Sequence, residues 1–489
     1  MKFLRFILLF FIFALPVSPG IMNSQYSCYA LNVNTDSIPK IKTYKYPSLL
    51  TASKVLGINT VIWGFDRFIM KEDWAYINGK SIKRNFKKGF IWDSNCFTTN
   101  MFSHPFHGSL YYNSARSSGL TWFQSIPFVL GGSFMWEFFM ESEFPSTNDL
   151  FATTFGGIAL GEMSFRTTDL LVDNRLSGAE RVGREVLIGV LSPMRAIHRL
   201  ITGESWTRSV MKGSQLGDYP FELSVSVGTR ALFNPSACDK LGLGATLGID
   251  FHYGELADGV HSEPYEWFDF DIMLNAAKSS PVISKWSSRG LLYGKTFEKN
   301  AGSRFTLGAF QHFMYYDLQP SETNFILGEA MSFGIGGIYN AEFKNSKNVF
   351  TGEAYLNAVP LGAVASDYMV LGDRNYNWGT GYDAKGYLEL NLDNRLSFSA
   401  GLEMTHLFSW NGYPKDIDWD NVDPDNYNIQ GDKSKSLSLV SSIGVKYMLN
   451  DSWGISFTYN NYFRHTEYDF FDDKTCDFND FMLTAVYSF

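Results

Sequence analysis

Two histidines three positions apart, His104 and His107, precede two carboxylates four positions apart, Glu137 and Glu141. Residues at those spacings share one face of a helix. Glu137 stands between Trp136 and Phe138 in the most apolar segment of this region. A carboxylate in such surroundings has to find a partner or hold a proton, and either condition marks a candidate site. Imidazole nitrogens and carboxylate oxygens suit zinc. Two carboxylates in unlike surroundings can divide acid and base roles. A histidine beside Ser133 or Ser109 would make a nucleophile–base pair. No HExxH, GxSxG or adjacent HxS pattern occurs, so the metal is left unassigned and no cofactor is expected. A lipid-modifying hydrolase or transferase with His104, His107, Glu137 and Glu141 as catalytic candidates is therefore the alternative reading.

The main reading is a polar network that fixes helix packing, formed by Arg116, Asn148, Asp149, Glu162 and Arg166. Glu162 and Arg166 are four apart, as an ion pair on one helix would be. Ser146 and Asp149 have capping-box spacing. Gly157 and Gly161 are spaced for close helix contact. His104, ahead of Pro105, reads as a turn residue.

The elements that must hold these groups are helices. Thr121–Met140 and Asp149–Phe165 are apolar nearly all round, and Ser177–Ile201 is amphipathic, so residues 40–215 read as a helical domain. From residue 219 to 489 the period changes to two. Leu243, Ala245, Leu247, Ile249 and Phe251 alternate with small and polar residues, as do Trp453, Ile455, Phe457 and Tyr459. Successive strand side chains face opposite ways. About twelve such segments are expected, centred near residues 226, 247, 271, 292, 309, 330, 354, 387, 401, 442, 458 and 483. Each is close to the length that crosses a bilayer when tilted. Tight turns at 393–394, 450–452 and 300–302 alternate with long loops at 359–380, 411–434 and 465–477, the rhythm of an outer-membrane barrel. The connection 252–264 is longer than that rhythm wants.

Composition agrees. With 43 Phe, 26 Tyr, 12 Trp and 43 Gly, and only 19% charged residues, the chain has the aromatics of interface girdles and little charge. A net charge of −9 argues against nucleic-acid binding. Residues 1–20 have a basic start, a ten-residue apolar run and Pro16, and read as a signal peptide with cleavage anywhere up to residue 30. Cys28 lacks a lipoprotein context, and Cys28, Cys96, Cys238 and Cys476 are too scattered for a disulfide framework.

The run from Asn100 through His104-Pro105, Gly108, Tyr112, Ala115-Arg116, Ser133, Trp136-Glu137, Glu141, Asn148-Asp149, Gly156-Gly157 and Gly161-Glu162 to Arg166 resembles the bacterial family called domain of unknown function 3943. That resemblance covers roughly residues 75–210 and implies an exported protein of Gram-negative bacteria, with no activity attached. The order of its polar residues is also weakly similar to that of VanZ-like membrane proteins. The final strand, ending on Phe489, resembles the last strand of outer-membrane barrels, which the barrel-assembly machinery reads.

The expectation is an α+β membrane protein, an apolar α-helical domain followed by a twelve-stranded antiparallel transmembrane β-barrel. It sits in the bacterial outer membrane, with lipid and lipopolysaccharide around it and the helical domain on the periplasmic side or associated with the lumen. A structural, transport or envelope-maintenance role follows.

Overall fold

The computed structural model describes residues 44–489 apart from 234–241, 277–280, 301, 319–324, 345, 370–371, 419–420 and 422–427. The signal peptide, Cys28, Cys238 and part of the turn at 300–302 lie outside the described residues. Cys96 and Cys476 are free.

Thirteen strands are described: β1 Phe221–Phe233, β2 Gly242–Tyr253, β3 Gly259–His261, β4 Phe268–Ala276, β5 Ile283–Asn300, β6 Ser303–Leu318, β7 Phe325–Glu342, β8 Val349–Ala365, β9 Tyr376–Leu392, β10 Leu396–Ser409, β11 Ser434–Met448, β12 Trp453–Tyr468 and β13 Lys474–Ser488. All pairs are antiparallel. β1 joins β13 with Val227 opposite Ala485, and β5 joins β6, so the ladder closes on itself. β3 pairs with β5 at Thr296, beyond the point where the nine-residue β4 stops. The connection that looked too long therefore holds a patch of wall, and twelve long strands make a closed barrel.

All twelve expected strand centres fall inside strands. Two of the three long loops are shorter than expected, while the one at 410–433 is as long as expected. β8 runs to Ala365, and β12 and β13 leave only 469–473 between them. Aromatic and polar residues near these strand ends look like loop in the sequence yet continue the ladder.

The two faces of the wall separate cleanly. Val227, Leu243, Leu307, Ile335, Leu356 and Ile443 point outward and are exposed. An even-numbered closed antiparallel barrel with such an outer wall is the outer-membrane type. The opposite face meets across the lumen. Tyr316 Oη donates to Glu403 at 3.0 Å although their strands are not neighbours. Arg230 pairs with Asp480 at 2.8 Å, Arg289 with Asp269 at 2.7 Å and Lys385 with Glu329 at 2.6 Å. Toward the long-loop end Tyr316, Phe325 and Tyr462 pack in a buried cluster with Met314, Leu407 and Val440. Below that plug a cavity of about 2740 Å³, reaching residues 202–220, opens at the short-turn end.

Eight helices are described: α1 Pro47–Phe65, α2 Gly79–Lys88, α3 His104–Arg116, α4 Trp122–Met135, α5 Thr147–Phe151, α6 Gly157–Leu171, α7 Gly178–Leu191 and α8 Pro193–Ile201. The expected helix over 177–201 is broken at Ser192, because Pro193 takes the first position of a new helix, where its missing N–H costs nothing. None of these helices is long and apolar enough to cross a membrane.

The end of the helical half, from Thr202 on, lines the short-turn mouth of the lumen cavity, and the helices before it pack against the outer face of the strands. Phe102 meets Trp286 at 5.9 Å, Phe97 stacks on Tyr315 at 4.9 Å, Phe155 meets Phe333 at 5.6 Å and Trp92 meets Trp378 at 6.1 Å. These strand residues share the outward face with Val225 and Ile249, through the register Val225–Ile249–Ile272–Trp286–Tyr315–Gly328. A side chain at Gly328 would strike Met101 and Phe97. The upper part of the lumen is filled by its own side chains. At the long-loop end Arg374 donates to the Asp93 carbonyl and Asn428 accepts from Trp92 N. Nearer the short-turn end, Arg166 donates to the Pro264 carbonyl.

Candidate functional site

Helices α3 and α6 cross at glycines. A Cβ at Gly157 would lie 2.6 Å from Gly108 Cα, and one at Gly161 would lie 2.7 Å from the Tyr112 ring. That contact sets the spacing between the start of α3 and the segment leading into α6. Three π-helical turns surround the same place: Thr99–Ser103 just before His104, Trp136–Met140 carrying Glu137, and Ala152–Gly156 carrying Thr153. Such wide turns push a side chain out of the ordinary helical register and are frequent at functional sites.

The structure gathers His104, Glu137 and Asp149 so that one ligand atom from each lies within 4.8 Å of the others. His104 Nε2 is 3.4 Å from Asp149 Oδ1. His104 Nδ1 lies 3.3 Å from Thr153 Oγ1. Ser146 N donates to Glu137 Oε2 at 2.8 Å, and the Ser146 hydroxyl caps α5 by accepting from Asp149 N at 3.2 Å. Asn148 Nδ2 bridges Asp149 Oδ1 at 2.8 Å and Asp93 Oδ1 at 2.7 Å. Asn100 Nδ2 also donates to Asp93 Oδ1, at 2.8 Å, while Asn100 Oδ1 is buried with no partner among the described residues.

His107 and Glu141 complete the group from the open side. With His104, Trp74, Asn95, Thr99 and Trp136 they line a cleft of about 230 Å³. His107 Nε2 is 2.8 Å from Tyr111 Oη and 3.1 Å from Asn59 Oδ1, and its ring stands edge-on to Trp136 at 4.7 Å.

Burial drives the electrostatics. It raises the Glu137, Glu141 and Asp149 carboxyls; Asp93 adds to all three and Glu137 to the other two, while hydrogen bonds from Ser146 N and with Glu141 oppose the rise at Glu137. It lowers His104 and His107, so both imidazoles are held neutral. Among the described residues no Lys or Arg side chain pairs with Asp93, Glu137, Glu141 or Asp149, and His104 is the only ionic contact of the four.

The remaining residues of the expected network form a separate centre. Glu162 accepts from Arg116 Nε at 2.8 Å, Tyr112 Oη at 2.7 Å and Arg166 Nε at 2.7 Å. Asp149 and Asn148, expected with these arginines, stand instead with His104 and Glu137. The serine pairs do not form: Ser109 donates to the Phe106 carbonyl at 2.6 Å, and the Ser133 hydroxyl is buried without a partner among the described residues. Asp93, Asn59 and Thr153 were missed by sequence reasoning. An Asp-Ser-Asn run reads as a turn, and nothing in its spacing points to residues 55 positions on.

At the rim of the cleft lies α2, held by Asn85 Nδ2 donating to the Glu141 carbonyl at 3.2 Å. It exposes Lys80, Lys83, Arg84, Lys87 and Lys88 together with Phe86.

The model of a family described as "Domain of unknown function (DUF3943)" matches residues 89–194, which contain all of these site residues except Asn59, Trp74 and those of α2. No curated protein matches. Among solved structures, the NanC porin is 8% identical over 53% of this chain and 98% of its own, with a TM-score of 0.26. The outer membrane channel DcaP of Acinetobacter baumannii is 11% identical over 55% and 96%, with a TM-score of 0.24. The COG4313 outer membrane channel from Pseudomonas putida F1 is 10% identical over 56% and 97%, with a TM-score of 0.27.

Proposed function

We propose that this outer-membrane barrel protein is an enzyme acting on an anionic lipid or lipopolysaccharide at the outer wall of its barrel. One observation carries the reading. His104, His107 and Glu141 line one cleft, and Glu137 and Asp149 gather with His104 beside it, in a layer packed on the outer face of the barrel. Short turns lie on the periplasmic side of such barrels and long loops outside. The cleft, tied through Asp93 and Trp92 to the long loops, then sits at the depth of the outer leaflet.

The layer around it is greasy on its free side, where Phe123, Leu130, Phe134 and Phe139 are exposed. A lipid substrate reaches the cleft sideways, with acyl chains along these residues and head group inward. The five cations of α2 supply the counter-charge for phosphate. His107 and Glu141 face the cleft and are the groups placed to move a proton on the substrate. Phe489, whose N–H donates to the Leu223 carbonyl at 3.0 Å, is the proposed recognition residue for the barrel-assembly machinery. The transport reading is weaker, because the Tyr316–Phe325–Tyr462 cluster stands across the lumen.

The test is mass spectrometry of lipid A and phospholipids from a deletion strain carrying either the natural chain or Glu141→Gln. A lipid species that changes on deletion, returns with the natural chain and fails to return with the variant supports the reading. Identical profiles in all three strains would refute it.

A further inference from the structure

We infer that His104 Nε2 and the carboxylates of Glu137 and Asp149 form a binding site for a divalent cation of the zinc class. A tetrahedral zinc with bonds of about 2.0–2.1 Å spaces its ligand atoms about 3.3–3.4 Å apart. His104 Nε2 and Asp149 Oδ1 are separated by 3.4 Å, and Glu137 completes a set lying within 4.8 Å.

Each ligand side chain is oriented by a hydrogen bond from a neighbouring group, as metal ligands are. Thr153 Oγ1 meets His104 Nδ1, which fixes the ring and leaves Nε2 for the ion. Ser146 N holds Glu137 Oε2, and Asn148 Nδ2 holds Asp149 while tying it to Asp93. Asp149 is 3% exposed and Glu137 1%. Carboxylates this buried need a counter-charge or a proton, and no lysine or arginine among the described residues lies in ion-pair contact with either. The partnerless Asn100 Oδ1, fully buried beside Asp93, is a second sign of a polar centre that the protein atoms alone leave incomplete. Three protein ligands leave a fourth position, the arrangement of a working rather than a structural zinc. The cleft lined by His104, His107 and Glu141 adjoins it.

The site is shared with the lipid chemistry proposed above, but metal content is measured without any substrate, so either reading can fail alone. The full chain, purified in detergent and stripped with EDTA, is loaded with Zn²⁺, gel-filtered and assayed by plasma mass spectrometry. One zinc per chain is expected. His104→Gln and Asp149→Asn should each lower retention at least tenfold, while Glu329→Gln, a lumen carboxylate, keeps it. Heat-modifiable migration and protease resistance of residues 44–215 report folding of each variant. Loading the natural chain with Co²⁺ adds an independent readout: visible absorption of a four-coordinate site, lost on adding Zn²⁺. Folded natural chain that retains no zinc and shows no such absorption overturns the proposal. So does full zinc retention in both variants.

Discussion

Gly157→Ala tests how the α3–α6 crossing sets the site. The new methyl would lie 2.6 Å from Gly108 Cα and 3.0 Å from Ser109 N. Carbon atoms pack at about 3.5–4.0 Å, so the helices must part by about 1 Å. Overpacking of this kind costs about 1–3 kcal/mol. Alanine recovers about 1 kcal/mol of helix propensity over glycine. The two terms leave a net loss of about 0–2 kcal/mol in the stability of the helical layer. The geometric effect is larger than the energetic one. His104 rides on α3 and Thr153 on the segment entering α6, so a 1 Å shift moves a contact that now measures 3.3 Å beyond hydrogen-bond reach.

Gly131→Ala is the matched control, since a Cβ there meets nothing within 4 Å. It gains the propensity term alone. Amide hydrogen exchange of the detergent-solubilised chain, followed in peptides covering 104–116 and 157–171, should accelerate in Gly157→Ala. In Gly131→Ala it should be unchanged or slower. Equal exchange in the two variants would refute the claim that the crossing is tight and that it positions His104.

Two further outcomes are expected. Glu162→Gln leaves Arg116 and Arg166 facing each other inside the helical layer, and unpairing a buried ion costs about 3–5 kcal/mol. Protease should then cut residues 44–215 rapidly while the barrel keeps its heat-modifiable migration. In planar bilayers the natural barrel should carry no steady ion current, and replacing Tyr316 and Tyr462 together by Ala should open one, because their rings, 5.9 Å apart, meet across the lumen.

The barrel was legible because period-two alternation records which side chains face water. Leu243 to Phe251 shows this, as does the last strand up to Phe489. The sequence did not tell lipid from protein on the greasy side. Trp286, Phe313, Tyr315 and Trp378 are as apolar as Leu307 or Ile443, yet they are covered by helices while the others are exposed. Nothing in the sequence therefore showed that helices cover part of the outer wall, although the end of the helical half does reach the short-turn mouth. The chemical candidates were legible as residue types, since His104, His107, Glu137 and Glu141 do meet. Asp149 was read as part of a packing network because its neighbour Ser146 makes a helix cap, which it also does. The partnership of Asp93 with Asn148 and Asn100 depends on the chain's return after 55 residues and left no local signature.

The cladding of one side of the barrel also bears on how the chain is made. Residues 44–215 are synthesised before any strand, yet the surface they meet at Trp286, Tyr315, Phe333 and Trp378 exists only after β5 to β9 have paired. Until then Phe97, Met101 and Phe102 have no place to go. Helix docking therefore follows the pairing of those strands. A defect in strand pairing would appear first as an exposed, protease-sensitive N-terminal half. The same order leaves the finished barrel with two unlike flanks: bare strands on one side, and on the other strands covered by helices.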